Sequence, residues 1–314
     1  MILVNDGSTD RSRDIIEKYS YDKRIVIVDK HNGGLSDARN SGLDICTGKY
    51  VLFVDGDDYL NSDAIEKLME TVKENPGVEA VLFPYKKIRG DKEEKIELFD
   101  KNYMIFGYQE IEENIYQSLV GPDFRKSTPL TMDRLNTAWG KLYSREVIGD
   151  IRFTDTQYIG PEDGWFNIQV FQKCKKAVYT SQICYMYEKN NESSLLHSYS
   201  KNLLEKRWNM YALVRDHIRQ NDQEGLIKNL ANRMVAEQFG LLKNICWSGL
   251  EKQKKLAEIN KVLCEKRYRD AYKKADLRGL SPAWRMFFYL CRKKKAKLIN
   301  VIFMAGMRVV QCPG

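Results

Sequence analysis

The sequence predicts an α/β domain, a mostly parallel sheet flanked by helices, continued by a helical extension. Three observations carry this: short apolar runs recur through the first third, amphipathic stretches separate them, and beyond residue 200 the spacing becomes almost purely helical. The strand-like runs are residues 2–4, 25–28, 51–54 and 80–83, short and apolar enough to be covered by helices on both faces. Residues 10–19, 35–45 and 63–74 have helical spacing between them. In the last of these, Ile65, Leu68, Met69 and Val72 form one apolar face, with Asn61 or Ser62 as the candidate cap and Asn75-Pro76-Gly77 as the stop. Residues 90–95 read as an exposed charged connection, 108–119 as a helix, and 121–129 as a Pro- and Gly-containing loop. The expected division is residues 1–200, with halves 1–115 and 116–200, followed by a helical extension, 201–314.

Composition narrows the class. With 314 residues, 43% of them hydrophobic, the chain can bury one large core with an appended helical piece, which excludes a disordered or fibrous protein. The net charge of +8 gathers in the last third, unlike a uniformly basic nucleic-acid binder, so no nucleic-acid partner is expected. Seven cysteines are scattered without a Cys-x-x-Cys pair, which suggests neither a disulfide framework nor a zinc site and fits a reducing cytoplasm. The opening Met1-Ile2-Leu3-Val4 leads straight into a polar turn and does not read as a signal peptide. No stretch reaches the roughly 20 apolar residues that cross a bilayer.

Three segments carry the chemistry. Val51-Leu52-Phe53-Val54 runs into Asp55-Gly56-Asp57-Asp58, placing carboxylates at the carboxyl end of a strand, where open α/β sheets bind ligands. Their mutual repulsion would be relieved by a divalent cation that also binds phosphate oxygens, although an acidic turn with a helix cap has the same local sequence. Val4-Asn5-Asp6-Gly7-Ser8-Thr9-Asp10 is a second strand feeding a polar turn, and Asp6 could accept from a base or ribose; alone it also fits a plain turn and cap. In Asn32-Gly33-Gly34-Leu35-Ser36-Asp37-Ala38-Arg39-Asn40-Ser41-Gly42, glycines allow close backbone approach and Arg39 offers a fork to phosphate.

In this order and spacing the three segments resemble the family 2 glycosyltransferases of the bacterial capsular and exopolysaccharide type. The likeness is close over residues 2–60. It continues through Thr137-Ala138-Trp139-Gly140-Lys141-Leu142-Tyr143 and Tyr158-Ile159-Gly160-Pro161-Glu162-Asp163 to Tyr185-Met186-Tyr187. The resemblance implies the GT-A fold, a nucleoside-diphosphate sugar donor, Mn2+ or Mg2+, and inversion at the anomeric carbon. It makes 1–115 the nucleotide-sugar-binding half and 116–200 the acceptor half. By position, Asp6 looks like the base-contacting carboxylate, Arg39 a donor-binding residue, Asp55 a ribose contact and Asp57 the metal ligand.

Asp163 would be the general base; at the start of a helix it stays ionised, although Glu162 and Asp163 there also simply complement the helix dipole. Trp139 and Trp165 lie where an acceptor sugar could stack, or belong to the core. His197 falls where many GT-A enzymes have a late histidine metal ligand, or is an ordinary surface histidine. Family members open with a further strand and helix that this sequence lacks.

Residues 282–314 join aromatic and apolar stretches through Arg292-Lys293-Lys294-Lys295 and Lys297, a pattern that suits an anionic membrane surface or a helix packed on the domain. The expected function is transfer of a sugar, uridine-linked in the donor, to a carbohydrate or lipid-linked oligosaccharide. Its setting would be cell-surface polysaccharide synthesis, in the cytoplasm or at the inner face of the membrane. The rivals are a non-catalytic, N-terminally truncated binding or scaffolding paralogue, and a nucleotidyltransferase that would release pyrophosphate.

Overall fold

The computed structural model describes residues 1–189 and 199–311. They form two compact units, Met1–Tyr116 with Arg134–Asn191, and Gln117–Asp133 with Glu192–Gly314.

The first unit opens with β1 (Ile2–Asp6), α1 (Ser12–Glu17) and β2 (Val26–Lys30). α1 supplies the crossover that parallel pairing requires, and Ile2 to Asp6 sit opposite Val26 to Lys30 in register. Among the described residues β1 has β2 on one side and no strand on the other. α2 (Leu35–Ile45) packs against β1. There follow β3 (Tyr50–Leu52), β4 (Tyr59–Leu60), α3 (Ala64–Glu74), β5 (Ala80–Leu82), β6 (Tyr85–Arg89), β7 (Lys92–Ile96) and β8 (Tyr103–Phe106). α4 (Tyr108–Ile111) runs through a π-turn, Glu112–Tyr116, into α5 (Gln117–Val120), where the chain enters the second unit. It returns as β9 (Lys141–Ser144), α6 (Arg145–Ile148), α7 (Thr156–Ile159), α8 (Glu162–Lys173), β10 (Ala177–Thr180) and β11 (Tyr185–Glu188).

Besides the β1–β2 pair there is a five-stranded sheet, ordered β3-β9-β5-β10-β8, and a four-stranded one, β4-β11-β6-β7. The α/β class is as expected, but the five-stranded sheet is mixed rather than parallel. β9 inserts antiparallel between β3 and β5, while β5 and β10 run parallel. β9 is buried along its whole length, as a central strand must be. The charged connection expected at 90–95 is instead the turn and second arm of a hairpin: Gly90, at φ 55, starts a two-residue turn and β7 returns antiparallel to β6. An exposed Lys86–Glu93 pair at 2.6 Å crosses that hairpin. α8 faces the core with Phe166, Ile168, Val170 and Phe171, and Phe166 stacks on Phe153 with centroids 4.0 Å apart. Each such side chain contributes about 1.5–3 kcal/mol of burial.

The second unit is helical: α9 (Leu203–Gln220), α10 (Ile227–Cys246), α11 (Lys252–Cys264), α12 (Lys266–Lys274), α13 (Pro282–Arg292) and α14 (Ala296–Gln311). Its core includes Val235, Leu242, Ile259, Phe288, Ile299 and Phe303. The division expected at residue 200 differs from this one by the segment Gln117–Asp133, which packs with the helices. Fully buried Arg233 explains why. It donates to the carbonyls of Leu119 (2.6 Å) and Val120 (3.0 Å), capping the end of α5, and to Glu237 (2.8 Å). Asn232 holds the Pro122 carbonyl at 2.8 Å. A buried guanidinium needs such partners for its donors, and the segment supplies them.

Candidate active site

The site is built on strand ends. At the end of β1, Asn5 is buried, donates to Asp29 (2.6 Å) and accepts from the Ser8 N–H (3.2 Å), which fixes the turn. Gly7 has φ +67, and a Cβ there would stand 2.6 Å from the Asn32 nitrogen, so only glycine fits. Asp6 accepts from Lys30 Nζ (2.8 Å) and from the N–H groups of Gly33 (2.9 Å) and Gly34 (2.8 Å), so it shapes the glycine loop that starts α2. Partial burial pushes its pKa up, but Lys30 and the two backbone donors outweigh that and hold it below the usual range.

Arg39, on α2, is 8% exposed and is the centre of the site. Its Nη2 bonds Asp55 Oδ1 at 2.8 Å; its Nη1 reaches Glu162 Oε1 at 3.1 Å and Asp163 Oδ1. The guanidinium also lies over the Phe153 ring, 5.2 Å from its centroid. Burial works against the charge, but Asp163, Asp55 and Glu162 more than offset it and keep Arg39 ionised. Three carboxylates against one cation leave an excess of negative charge. Burial drives the Glu162 pKa well above the carboxylate range, the Asp163 charge adds to this, and Arg39 only partly opposes it. Asp55 is raised too, by burial, against the pull of Arg39.

The Asp55-Gly56-Asp57-Asp58 carboxylates separate. Asp55 turns to Arg39. Asp58 accepts from the Tyr185 hydroxyl (2.5 Å) and the Glu188 N–H (2.9 Å), and burial still pushes it up to about 6, with Asp57 and Asp55 adding. Asp57 is exposed. Among the described residues no group of three or more His, Cys, Asp or Glu converges on one point as a protein-only metal cage. A cation that takes one or two carboxylates and completes its shell from phosphate oxygens and water needs no such cage, and exposed Asp57 beside two carboxyls of raised pKa fits it.

Asp163 stands in the first turn of α8, with Oδ2 accepting from the Ala138 N–H at 2.9 Å and Oδ1 paired with Arg39. Asp55, Arg39 and Asp163, three of the residues singled out from the sequence, are therefore in direct contact. Trp139 lies in the core, stacked on Tyr185 at 4.6 Å and Tyr187 at 5.4 Å with Tyr85 edge-on at 4.7 Å, and Trp165 is 8% exposed within α8. The geometry leaves both indoles little surface for a stacked sugar. His197 lies outside the described residues.

Sequence reasoning did not find Glu162 as an Arg39 partner, Lys30 as the Asp6 partner, or Tyr185 as the link between the Asp55 N–H (3.2 Å) and Asp58. Tyr185 carried a signal, since it stands in the Tyr-Met-Tyr segment already singled out.

This combination of mixed sheet, carboxylates at strand ends and a glycine loop opening a helix is that of the GT-A fold. Residues 1–150, a little under half of the chain, match the family model for Glycosyl transferase family 2. It is 34% identical over 190 residues to the glycosyltransferase GlyA of Streptococcus pneumoniae serotype 4, covering 60% of this chain and 26% of that protein. It is 31% identical over 204 residues to the uncharacterized glycosyltransferase EpsJ of Bacillus subtilis, covering 62% of this chain and 53% of that one. The chain thus spans about a quarter to a half of the length of these relatives. Its fold resembles that of S. aureus TarS 1-349, solved in complex with UDP-GlcNAc, with TM-score 0.65 and 18% identity over 98% of this chain and 82% of that one.

Proposed function

We propose that this chain transfers a sugar from a nucleoside-diphosphate donor, uridine-linked, to a hydroxyl of a carbohydrate acceptor, inverting the anomeric carbon. The observation that carries the reading is the joining by direct ion pairs of Asp55, Arg39 and Asp163, the residues read here as donor carboxylate, phosphate-binding cation and base. The solution of TarS with UDP-GlcNAc and with UDP supports a uridine nucleotide.

In this reading Asp6 keeps a lone pair for the base while ordering the glycine loop, and Asp55 offers Oδ2 to a ribose hydroxyl while Oδ1 holds Arg39. Arg39 turns its fork to the diphosphate, which releases Asp163 Oδ1. Asp163 then takes the acceptor hydroxyl's proton, the oxygen attacks the anomeric carbon from the face opposite the diphosphate, and the nucleoside diphosphate leaves. A Mn2+ or Mg2+ ion, held by Asp57 with His197 as a candidate second ligand, would supply charge neutralisation at the diphosphate. Trp139 and Trp165 shape the acceptor side as packing beneath it.

The acceptor belongs to a cell-surface polysaccharide, free or lipid-linked, and the chain works at the cytoplasmic face of a membrane. Support comes from the last helices. α14 buries Ile299 and Phe303 but exposes Leu298 (52%), Val301 (62%) and Ile302 (45%), a second apolar strip beside the basic run from Arg292 to Lys297. No described helix is long and apolar enough to cross a membrane.

The test is a panel of nucleotide sugars scored for diphosphate release with and without candidate acceptors. Acceptor-dependent release supports transfer; donor binding without release points to a binding protein, and pyrophosphate release from a nucleoside triphosphate to a nucleotidyltransferase.

A further inference from the structure

We propose that Lys141 and Tyr143, together with Asn167, which Tyr143 holds, are positioning residues for Asp163, acting through the backbone of residues 136–139. This rests on Asp163 as the base. The segment Thr137-Ala138-Trp139-Gly140-Lys141-Leu142-Tyr143 was singled out in the sequence, and the mechanism above gives none of its polar groups a task.

The structure shows what they hold. Lys141, at the start of β9, is 0% exposed, and its Nζ donates to the Thr137 carbonyl at 2.5 Å. Asn167, also 0% exposed, lies one turn along α8 from Asp163. Its Nδ2 is within 2.8 Å of the Asn136 carbonyl, 3.1 Å of the Thr137 carbonyl and 2.9 Å of the Asp163 carbonyl. The Tyr143 hydroxyl is shared between Asn167 Oδ1 (2.8 Å) and the Ala138 carbonyl (3.1 Å). Three successive carbonyls, 136 to 138, are therefore tied from within the core. The N–H of Ala138, on the same stretch, is left to point at Asp163 Oδ2.

The consequence is geometric. One oxygen of Asp163 is fixed by a peptide that cannot swing, and only the other, facing Arg39, is exchangeable. A general base must sit within hydrogen-bond reach of the proton it takes, and a misplacement of about 1 Å can cost about 100-fold in rate. An electrostatic effect runs alongside. Burial lowers the Lys141 pKa to about 7, and the Asp163 charge pulls the other way.

The experiment measures turnover and donor KM for Lys141→Met and Tyr143→Phe, each in the wild-type and the Asp163→Asn background. Lys141→Met is expected to lower kcat about 30- to 100-fold with donor KM within about threefold. Tyr143→Phe, which keeps the ring, should lower kcat about tenfold with donor KM again within about threefold. In the Asp163→Asn background neither should reduce the residual rate by more than about twofold, because both act through that carboxylate. Equal losses in the two backgrounds, or donor KM rising as kcat falls, would overturn the proposal. If Lys141→Met does not fold by circular dichroism, Tyr143→Phe decides alone. Wild-type turnover by Asp163→Asn itself would instead refute the base reading.

Discussion

Replacing Arg39 by Met removes the one cation that Asp55, Glu162 and Asp163 share. The side chains concerned are 7%, 26%, 9% and 19% exposed for Arg39, Asp55, Glu162 and Asp163, so solvent cannot make up the loss. Breaking a buried ion pair by removing one partner costs about 3–5 kcal/mol, and methionine restores only the packing over Phe153. The penalty must depend on pH. Glu162, Asp55 and Asp58 have folded-state pKa values raised above the ordinary carboxylate range, the last to about 6. The stability such groups contribute is fully present below their unfolded pKa and is lost as pH rises through the folded value. The wild type should therefore gain stability from them on going from pH 8 toward pH 5. Without Arg39, the pKa values of Glu162 and Asp55, which it lowers, rise further, so the variant gains more over that range and its deficit narrows. Scanning calorimetry of both proteins at pH 8 and pH 5 measures this, with a drop in Tm on the order of 10 °C at the higher pH. A deficit below about 1 kcal/mol, or one of equal size at both pH values, would refute the cage as a source of stability.

Asp163→Asn should cut transfer about 100- to 10,000-fold while donor affinity, read by calorimetric titration, stays within a few-fold; Glu162→Gln should do much less, and a dead Glu162→Gln would exchange the two roles. Chelation should abolish transfer and Asp57→Asn should weaken metal-dependent donor binding, so unchanged transfer after thorough metal removal would exclude this cation site. Sedimentation with vesicles containing anionic lipid should fall when Leu298, Val301 and Ile302 are changed to Ser and when salt is raised, and should be absent with neutral vesicles. Indifference to all three changes would make the strip ordinary surface.

The early strands and helices were legible because each is a local pattern: a β-branched run, a polar turn, then an apolar face at helical spacing. The Asp6, Asp55 and Asp163 positions lie at or just past element ends and Arg39 one turn into α2, and the resemblance to the family 2 glycosyltransferases is what singled them out. What was hidden depends on distant partners. That 117–133 packs with the helices is decided by Arg233 and Asn232, about 110 residues downstream, and no local periodicity reports it. The antiparallel insertion of β9 is a matter of pairing, and a short apolar strand has the same composition in either direction. The β6–β7 hairpin is hidden by the charges along its arms, although Gly90-Asp91 is itself a turn signal. Arg39 was read as a phosphate ligand from its place in a glycine loop. That it is also the counter-ion of three carboxylates follows only from bringing α2, the end of β3 and α8 together.

The hold of Arg233 on the Leu119 and Val120 carbonyls makes the helical unit a product of contacts far apart in sequence. Contacts at such separations form late, so this unit should refold more slowly than a bundle built from neighbouring helices alone.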